Sequence, residues 1–437
     1  MSTRRNFLKQ TTLTTAGALL FETIFANSLL NLPNLEASNK ANRHILLRSG
    51  WQVENIGDIA HTPAMLALIE KYIPNALVTF WPYYHFLPDN EVKMLQKRFP
   101  TLKIVEGKLN TEGVASSKEL EQALTEADFM LHNSGPATIG WADLVHFKKM
   151  GKPFGVFGVT YGLYGTPEKD ILSQADFVYF RDSISLQKAH DVGIKAPIMT
   201  FTPDAVFSID VTDDAKADAF LTENGLETGK FICCIPKHRH TPMWLHTRKN
   251  RPFDASRNAR NEDMKEHDHA PLREAITAIV RNTDHKVFIC HEDETEMSIG
   301  KEWLLDKLPE DVKPKVVWRN TPWLTDEAMS IYKRSAGLFG NEMHSPIMCI
   351  AHGIPAIVVR WEEQSSKGIM WKDIGLEEWL FDFDKEADIQ RFVPTVLAMA
   401  KNTQQAKATA LKGKKFAQAL HKKSMKVVEK ASKPLRK

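Results

Sequence analysis

Short apolar runs alternate with segments of helical periodicity along most of this chain. In the first half the apolar runs are HILLRSG, ALVTFWPYY, LKIVEG, FMLHNSG, PFGVFGVTYG and FVYFRD, with helical patterns between some of them. Apolar runs separated by helical patterns are typical of a parallel sheet whose strands are joined by helices. This first set of elements closes near MTFTPDAVF.

A second set of the same kind begins at KFICCIPKHRH and continues through HKVFICH, PKVVW, GLFGNEMHS and PAIVVRW. Helical patterns such as PLREAITAIVRNT and DEAMSIYKRSA lie between these runs. Together the two sets predict an α/β protein with two Rossmann-like parallel-sheet domains facing a cleft. In such folds ligands bind beyond the carboxyl ends of the strands.

The same patterns predict where the chain divides. We place a signal and linker at 1–42, a first domain at 43–208, a second domain at 209–400 and a basic helix at 401–437. Asp58 is predicted to cap the helix that follows the first strand, because aspartate is favoured at that position. The polar, aperiodic segment 240–269 is predicted to be a long loop of the kind that often serves as a lid.

Composition agrees with two folded domains of ordinary size. The chain has 437 residues, of which 43% are hydrophobic and 25% charged, so each half is long enough to bury its own core. All four cysteines lie in apolar runs or in a helix of small residues, and their spacing matches neither a disulfide framework nor a metal site. We therefore predict that they are buried core thiols.

The net charge of +3 hides a strong asymmetry. Residues 401–437 carry twelve Lys or Arg and one acid, whereas residues 1–42 carry four basic and two acidic residues. The segment between them therefore has 41 basic and 51 acidic residues. A basic tail can bind nucleic acid or a membrane surface.

No aromatic platform or nucleic-acid motif accompanies the lysines of this tail. Phe416, Leu420 and Val427 recur at helical spacing, which indicates one packed face. We predict a surface helix that lies on the acidic body through these residues, and no nucleic-acid partner.

The N-terminus has the pattern of an export address. Arg4 and Arg5 precede Phe7-Leu8-Lys9 and a weakly apolar stretch, which resembles a twin-arginine (Tat) signal. The stretch is too short and too interrupted to span a membrane. We predict a periplasmic or otherwise extracytoplasmic protein with no integral membrane segment after signal removal.

Several strand ends in the predicted sheets carry groups suited to an anionic ligand. The loop after the first strand contains Asn55, Gly57 and Asp58, and its exposed backbone N–H groups at a helix start can hold an anion. Arg181 follows a later strand; it can pair with a phosphate or carboxylate, or form a salt bridge with a neighbouring acid.

The second predicted sheet adds a cationic group at Lys237 and Arg239, and a histidine, His344, directly after GLFGNEM. Lys367 lies downstream of that histidine. A histidine at a strand end with cations nearby is a candidate acid–base group. The histidine pairs at 238/240 and 267/269 match no strong metal-ligand spacing, and we predict no metal site.

These stretches, taken in order, resemble the polysaccharide pyruvyl transferase family across about residues 44–400. The resemblance rests on Asn55-Ile-Gly57-Asp58, Arg181-Asp182-Ser183, Pro203-Asp204-Ala205-Val206-Phe207, His344 followed by Ala351-His-Gly353-Ile-Pro355, and Lys367 before Ile374-Gly375-Leu376.

The resemblance implies a glycosyltransferase-B-like arrangement of the two domains. It also implies transfer of the enolpyruvyl-derived group of phosphoenolpyruvate to two hydroxyls of a glycan acceptor, as a ketal. His344 would match the catalytic histidine of the family, and Arg181 and Lys367 would match its phosphoenolpyruvate-binding cations. No cofactor is expected beyond this anionic small-molecule donor.

Two features depart from that resemblance. The family usually has Arg-Leu-His at the catalytic histidine, where this chain has Glu342-Met343-His344. Glu342 would repel an anionic donor unless it is paired, and Arg360 or the cluster of Lys237 and Arg239 are the candidates to restore the charge. The export signal is the second departure, because phosphoenolpyruvate is a cytoplasmic metabolite.

Three functions therefore stay open at the level of sequence. The first is a pyruvyl-transferase-like enzyme that uses His344 as acid or base. The second is an exported glycan-active enzyme of the same fold with a different donor. The third is a non-catalytic glycan-binding protein that keeps the cleft.

Overall fold

Two parallel sheets form the framework of the protein. The computed structural model describes residues 43–84, 87–246 and 248–434, and the predicted export signal lies outside them. The strands are β1 Arg43–Ser49, β2 Ala76–Pro82, β3 Lys103–Ile104, β4 Phe129–His132, β5 Phe154–Val159, β6 Val178–Phe180, β7 Met199–Phe201, β8 Phe231–Ile235, β9 Lys286–Ile289, β10 Val316–Trp318, β11 Gly337–Gly340, β12 Ala356–Arg360 and β13 Leu380–Asp382.

Helices connect these strands and cover the faces of the sheets. They are α1 Ile56–Tyr72, α2 Asp89–Arg98, α3 Lys118–Glu126, α4 Trp141–Lys149, α5 Thr166–Leu172, α6 Ser183–Asp191, α7 Asp214–Glu223, α8 Ala255–Asn282, α9 Glu296–Ile299, α10 Thr325–Arg334, α11 His344–Ala351, α12 Met370–Asp373, α13 Glu386–Lys401 and α14 Thr403–Ala431. Short 3-10 turns complete several of the connections.

Strand order confirms the predicted fold class. The first sheet has the order β3-β2-β1-β4-β5-β6-β7 and the second β10-β9-β8-β11-β12-β13, and the described strand pairs are parallel. In each sheet the order reverses beside the first strand of its set, at β1 and at β8. These switch points are where a doubly wound sheet opens a ligand crevice.

Central strands are buried on both faces, as helices on either side of a parallel sheet require. All seven residues of β1 are buried. One apolar cluster contains Ile45 and Leu47 of this strand together with the core of the second sheet, whereas Leu46 belongs to a second cluster on the other face. The core is therefore continuous across both sheets, and residues 42–437 form one compact unit.

Two local predictions were wrong. Helix α1 begins at Ile56 and is capped by Asn55 rather than Asp58, because the Asn55 side chain accepts hydrogen bonds from the N–H groups of Gly57 and Asp58. The segment predicted as a loop at 240–269 contains the first half of α8, a helix of 28 residues. Its few buried positions are widely spaced, so the local pattern shows no period.

The C-terminal helix forms as predicted, and of its predicted packing residues Val427 packs against the core whereas Phe416 does not. Phe416, one of the predicted packing residues, is 45% exposed. The buried positions of α14 are mostly small, and they are Ala406, Thr409, Ala410, Gly413, Ala417, His421, Ser424, Met425 and Val428. Small side chains let this helix lie close against α1, α11 and β5, a preference that a search for large apolar residues cannot detect.

The cysteine prediction is confirmed by the structure. Cys233, Cys234, Cys290 and Cys349 are all free and buried. Among the described residues no helix is both long and apolar enough to cross a lipid bilayer.

Candidate active site

The loop after β1 meets the second sheet directly. The backbone N–H of Ile56 donates to the carbonyl of Glu292, 3.0 Å away, and Asn55 forms an antiparallel bridge with Asp293. From the other side, the Thr325 hydroxyl donates to the Ile56 carbonyl at 2.6 Å. These bonds hold the N-terminus of α1 against the strand ends of the second sheet.

Gly57 makes this contact possible. A Cβ atom on Gly57 would lie 2.3 Å from the Cβ of His344 and 2.5 Å from a carboxylate oxygen of Glu292. No other residue fits there without moving one of these two side chains, which explains a glycine at this position by close approach.

His344 lies at the centre of the cleft with both ring nitrogens engaged. Its Nδ1 is 3.0 Å from Oε1 of Glu292, and its Nε2 is 3.3 Å from Nζ of Lys367. The second oxygen of Glu292 accepts the backbone N–H of Ser345 at 2.6 Å. Glu292 therefore fixes both the ring and the first turn of α11.

Burial sets the charge states of this pair. Burial, with help from the positive charge of Lys367, lowers the pKa of His344 well below its usual range. Burial and the neighbouring Glu342 raise the pKa of Glu292 well above its usual range, against the opposing charge of Lys367. Both shifts favour the uncharged forms of the two groups.

A second histidine stands against the first. The ring of His61 packs edge-on to that of His344, with centroids 4.8 Å apart. Its Nδ1 lies 3.1 Å from an oxygen of Asp204 and 2.9 Å from the hydroxyl of Ser134. Asp204 thus orients His61 as carboxylates commonly orient a functional histidine.

Arg181 supports Asp204 from behind. Its guanidinium donates to Asp204 at 2.8 Å and to the Thr160 hydroxyl at 2.8 Å. Burial opposes ionisation of Asp204, but the charges of His61 and Arg181 outweigh it and hold the pKa of Asp204 well below its usual range. Arg181 is therefore committed to a buried salt bridge, the second of the two roles open to it at the level of sequence.

Glu342 is paired with a lysine. Its carboxylate accepts a hydrogen bond from Lys237, which also lies 3.6 Å from Glu296. Burial acts against ionisation of Glu342, but Lys237 and Lys367 hold its pKa below the usual value. Burial and Glu342 raise the pKa of Glu296, so the negative charge of this pair is favoured on Glu342.

Lys367 differs from the other cations of the site. Within the described chain no carboxylate oxygen lies within salt-bridge distance of its ammonium group, which instead faces His344. Burial and the charge of Arg181 lower its pKa, while Glu342, Glu292 and Asp58 act in the opposite direction. Lys367 is thus the cation best placed to meet an anionic group beside His344.

The remaining predicted residues fall into two groups. Asp58 lies at the site, with Oδ1 3.7 Å from His61 and 3.8 Å from His344, whereas the Asn55 side chain is used in capping α1. Arg239 pairs with Asp268, Glu363 and Asp384. Arg360 pairs with Asp382 at 2.8 Å, so of the candidates to compensate Glu342, only Lys237 contacts it.

Sequence reasoning missed four groups that complete the site, namely His61, Asp204, Glu292 and Glu296. Glu292 follows β9 by three residues, so the strand-end argument would have found it if applied to that strand. His61 lies one helical turn beyond Asp58 and shares its face of α1. Asp204 is part of the sequence pattern shared with the family, but no role was predicted for it.

Asp58, His61 and His344 also present ligand atoms that lie within 4.8 Å of one another. Such a set could hold a divalent cation after small movements. Both nitrogens of His344, however, already have partners in Glu292 and Lys367. The arrangement is therefore better suited to holding and moving protons than to coordinating a metal.

Comparison with known families agrees with this geometry. The model of the family described as polysaccharide pyruvyl transferase matches residues 55–363. The match begins at the residue that caps α1 and ends just beyond β12, so it includes the two strand edges that meet at His344.

Solved structures similar to this chain share its two-domain architecture. A putative UDP-N-acetylglucosamine 2-epimerase from Listeria monocytogenes has a TM-score of 0.55 at 11% identity, over 87% of this chain and 94% of that one. HepE from Anabaena, solved with UDP-glucose, has a TM-score of 0.52 at 11% identity, over 89% and 99%. UDP-GlcNAc 2-epimerase from Methanocaldococcus jannaschii has a TM-score of 0.51 at 13% identity, over 81% and 92%. At such identities the likeness shows the fold alone, which is glycosyltransferase-B-like.

Proposed function

The chain belongs to the polysaccharide pyruvyl transferase family and is a transferase that modifies a glycan; from this premise we propose that it forms a pyruvyl ketal across two sugar hydroxyls with His344 as the acid–base group. The observation that carries this proposal is the buried pair of His344 and Glu292, 3.0 Å apart, with Lys367 on the other side of the ring.

The pair can act as a proton relay although the imidazole itself is neutral. In the structure Nε2 of His344 accepts from the Lys367 ammonium, which can only donate. When an anionic donor draws Lys367 away, we assign the proton to Nε2, with Nδ1 accepting from protonated Glu292. When Nε2 delivers its proton to the donor, Nδ1 takes the proton of Glu292, and no free imidazolium has to persist in a buried site. A histidine with a low pKa can therefore serve as the acid near neutral pH.

The reaction balances with phosphoenolpyruvate as donor. The proton from His344 goes to the methylene carbon, which becomes the methyl group and leaves C2 electrophilic. One sugar hydroxyl adds to C2 and its proton returns to the His344–Glu292 pair. The second hydroxyl forms the second C–O bond as the C2–O bond to phosphate breaks, and its proton leaves with the inorganic phosphate.

One observation favours a second candidate, a donor with a single anionic group. Arg181 is committed to Asp204 and Lys237 to Glu342, which leaves Lys367 to meet the donor. Phosphoenolpyruvate carries both a phosphate and a carboxylate, and each needs a cation or several N–H donors when it leaves water.

The test is phosphate release from phosphoenolpyruvate by the purified full chain with a panel of glycan acceptors, with the ketal detected by NMR. Release of phosphate with ketal formation supports the first donor. No release across the panel contradicts it, and glycan binding that survives His344→Gln unchanged would indicate a binding protein instead.

The variant Glu342→Gln tests which of the two kinds of donor the enzyme uses. Removing the negative charge of Glu342 should lower the KM for phosphoenolpyruvate roughly tenfold, since it relieves repulsion at short range, and should lower the KM for a singly charged donor by less. Glu363→Gln is the matched control, because Glu363 pairs with Arg239 rather than with a cation of the His344 site.

Two further predictions complete the proposal. A glycan acceptor and an anionic small-molecule donor are the partners that the family implies, and no cofactor is required by the proton relay. Export through the Arg4-Arg5 signal stays a prediction, and an exported enzyme would need a donor available outside the cytoplasm.

A further inference from the structure

Helix α14 presents two very different faces. It runs over 29 residues, and its inner face of mostly small residues is buried against the body of the protein. Seven lysines of the helix are exposed, and they are Lys407, Lys412, Lys415, Lys422, Lys423, Lys426 and Lys430. At 3.6 residues per turn these lysines lie on one side of the helix.

The lysines of this outer face greatly outnumber the acids of the helix, of which Glu429 is the only one. Among the described residues, no lysine of α14 forms a salt bridge, although ion pairs are frequent elsewhere. Lys414, at the edge of the face, meets another cation: burial and the charge of Lys71 lower its pKa. The prediction that this helix lies on an acidic surface is therefore incomplete, since its charges point away from the body.

Two apolar side chains stand among these lysines. Leu411 is 42% exposed and Phe416 is 45% exposed, and at 3.6 residues per turn they lie toward opposite edges of the lysine-bearing side of the helix. A soluble polyanion would satisfy the lysines but would give no partner to Phe416 and Leu411. An anionic lipid surface satisfies both, since lysines contact the headgroups while apolar side chains enter the acyl boundary.

We propose that the outer face of α14 binds an anionic lipid surface as a peripheral contact. This inference goes beyond the proposed function and is independent of the donor. It also differs from membrane insertion, because the opposite face of the helix stays packed on the protein.

The inner face connects this surface to the active site. Nε2 of His421 lies 3.0 Å from the carbonyl of Pro203, and the hydroxyl of Ser424 donates to that of Thr202 at 2.8 Å. Asp204, which orients His61, follows directly. A helix fixed in this way would hold the cleft at a constant orientation to the lipid surface.

The test is co-sedimentation of the full chain with vesicles of equal parts phosphatidylglycerol and phosphatidylcholine, compared with phosphatidylcholine alone. Binding is expected only to the anionic vesicles and should fall as salt is raised. The quadruple change of Lys412, Lys415, Lys422 and Lys426 to Gln should weaken it by more than a hundredfold, since each lysine near such a surface contributes on the order of fivefold.

A matched control changes four exposed lysines elsewhere to Gln, namely Lys118, Lys149, Lys188 and Lys195. It should bind like the parent chain, and because it keeps the same N-terminus it separates α14 from any effect of residues 1–42. Phe416→Ala should weaken vesicle binding several-fold and leave the unfolding midpoint unchanged. Absence of binding to anionic vesicles, equal loss in the control, or binding to dextran sulfate without binding to vesicles would each overturn the proposal.

Discussion

Lys237 and Arg239 are two residues apart after β8, yet they belong to regions with opposite character. Lys237 joins the cluster around His344, where the pKa values of Glu292 and Glu296 are raised and Lys367 forms no salt bridge within the described chain. Arg239 is fully buried between Asp268, Glu363 and Asp384, and its donors are used. A cation at a strand end is therefore a functional candidate only when the cluster around it contains a group that can exchange a proton or a charge without a salt-bridge partner.

The largest difference should appear when His344 is changed to Gln. Turnover in the phosphate-release assay should fall roughly a hundred- to ten-thousand-fold, because the proton donor is lost, while denaturant unfolding changes little. His190→Gln, on the exposed end of α6, is the control and should retain full activity. A loss of only a few-fold would remove His344 from the acid–base role.

Arg239→Leu should have the opposite effect, a large loss of stability with little loss of turnover. Removing one partner of a buried salt bridge leaves uncompensated charges, so the free energy of unfolding should fall by about 3–5 kcal/mol. The kcat of the folded enzyme should stay within a few-fold of the parent. Arg281→Ala, which breaks the exposed pair with Asp311, should cost less than about 1 kcal/mol; equal losses in the two variants would mean that the Arg239 cluster is not a structural centre.

Lys367→Met should produce the smallest but most specific effect, a shift in the pH profile. The reaction needs the proton held by His344 and Glu292, so kcat falls as pH rises through the apparent pKa of this pair. Lys367 lowers the pKa of both groups, and its removal should move the fall in kcat to higher pH. The KM of an anionic donor should also rise on the order of tenfold. An unchanged or downward-shifted profile would contradict the assigned relay.

Periodicity was sufficient for the fold but not for every element. Buried β-strands such as HILLRSG and FICCI have apolar centres, and their alternation with helices leaves few topologies open. The N-cap of α1 and the first half of α8 were predicted incorrectly, and the packed face of α14 was predicted only in part. Each depends on contacts with distant parts of the chain or on small side chains, neither of which produces a clear local period.

The candidate site likewise has residues that the sequence predicted and contacts that only the structure revealed. By itself, the sequence determined that His344, Asp58 and Lys367 follow strand ends, because the strand-end rule depends only on the order of elements along the chain. Only the tertiary structure decided that Glu292 contacts His344, that Asp204 takes up Arg181, and that Lys237 rather than Arg239 or Arg360 compensates Glu342. Charge pairing in a buried cleft depends on distances of a few ångströms between residues far apart in sequence, and those distances are set only when the two sheets pack against each other.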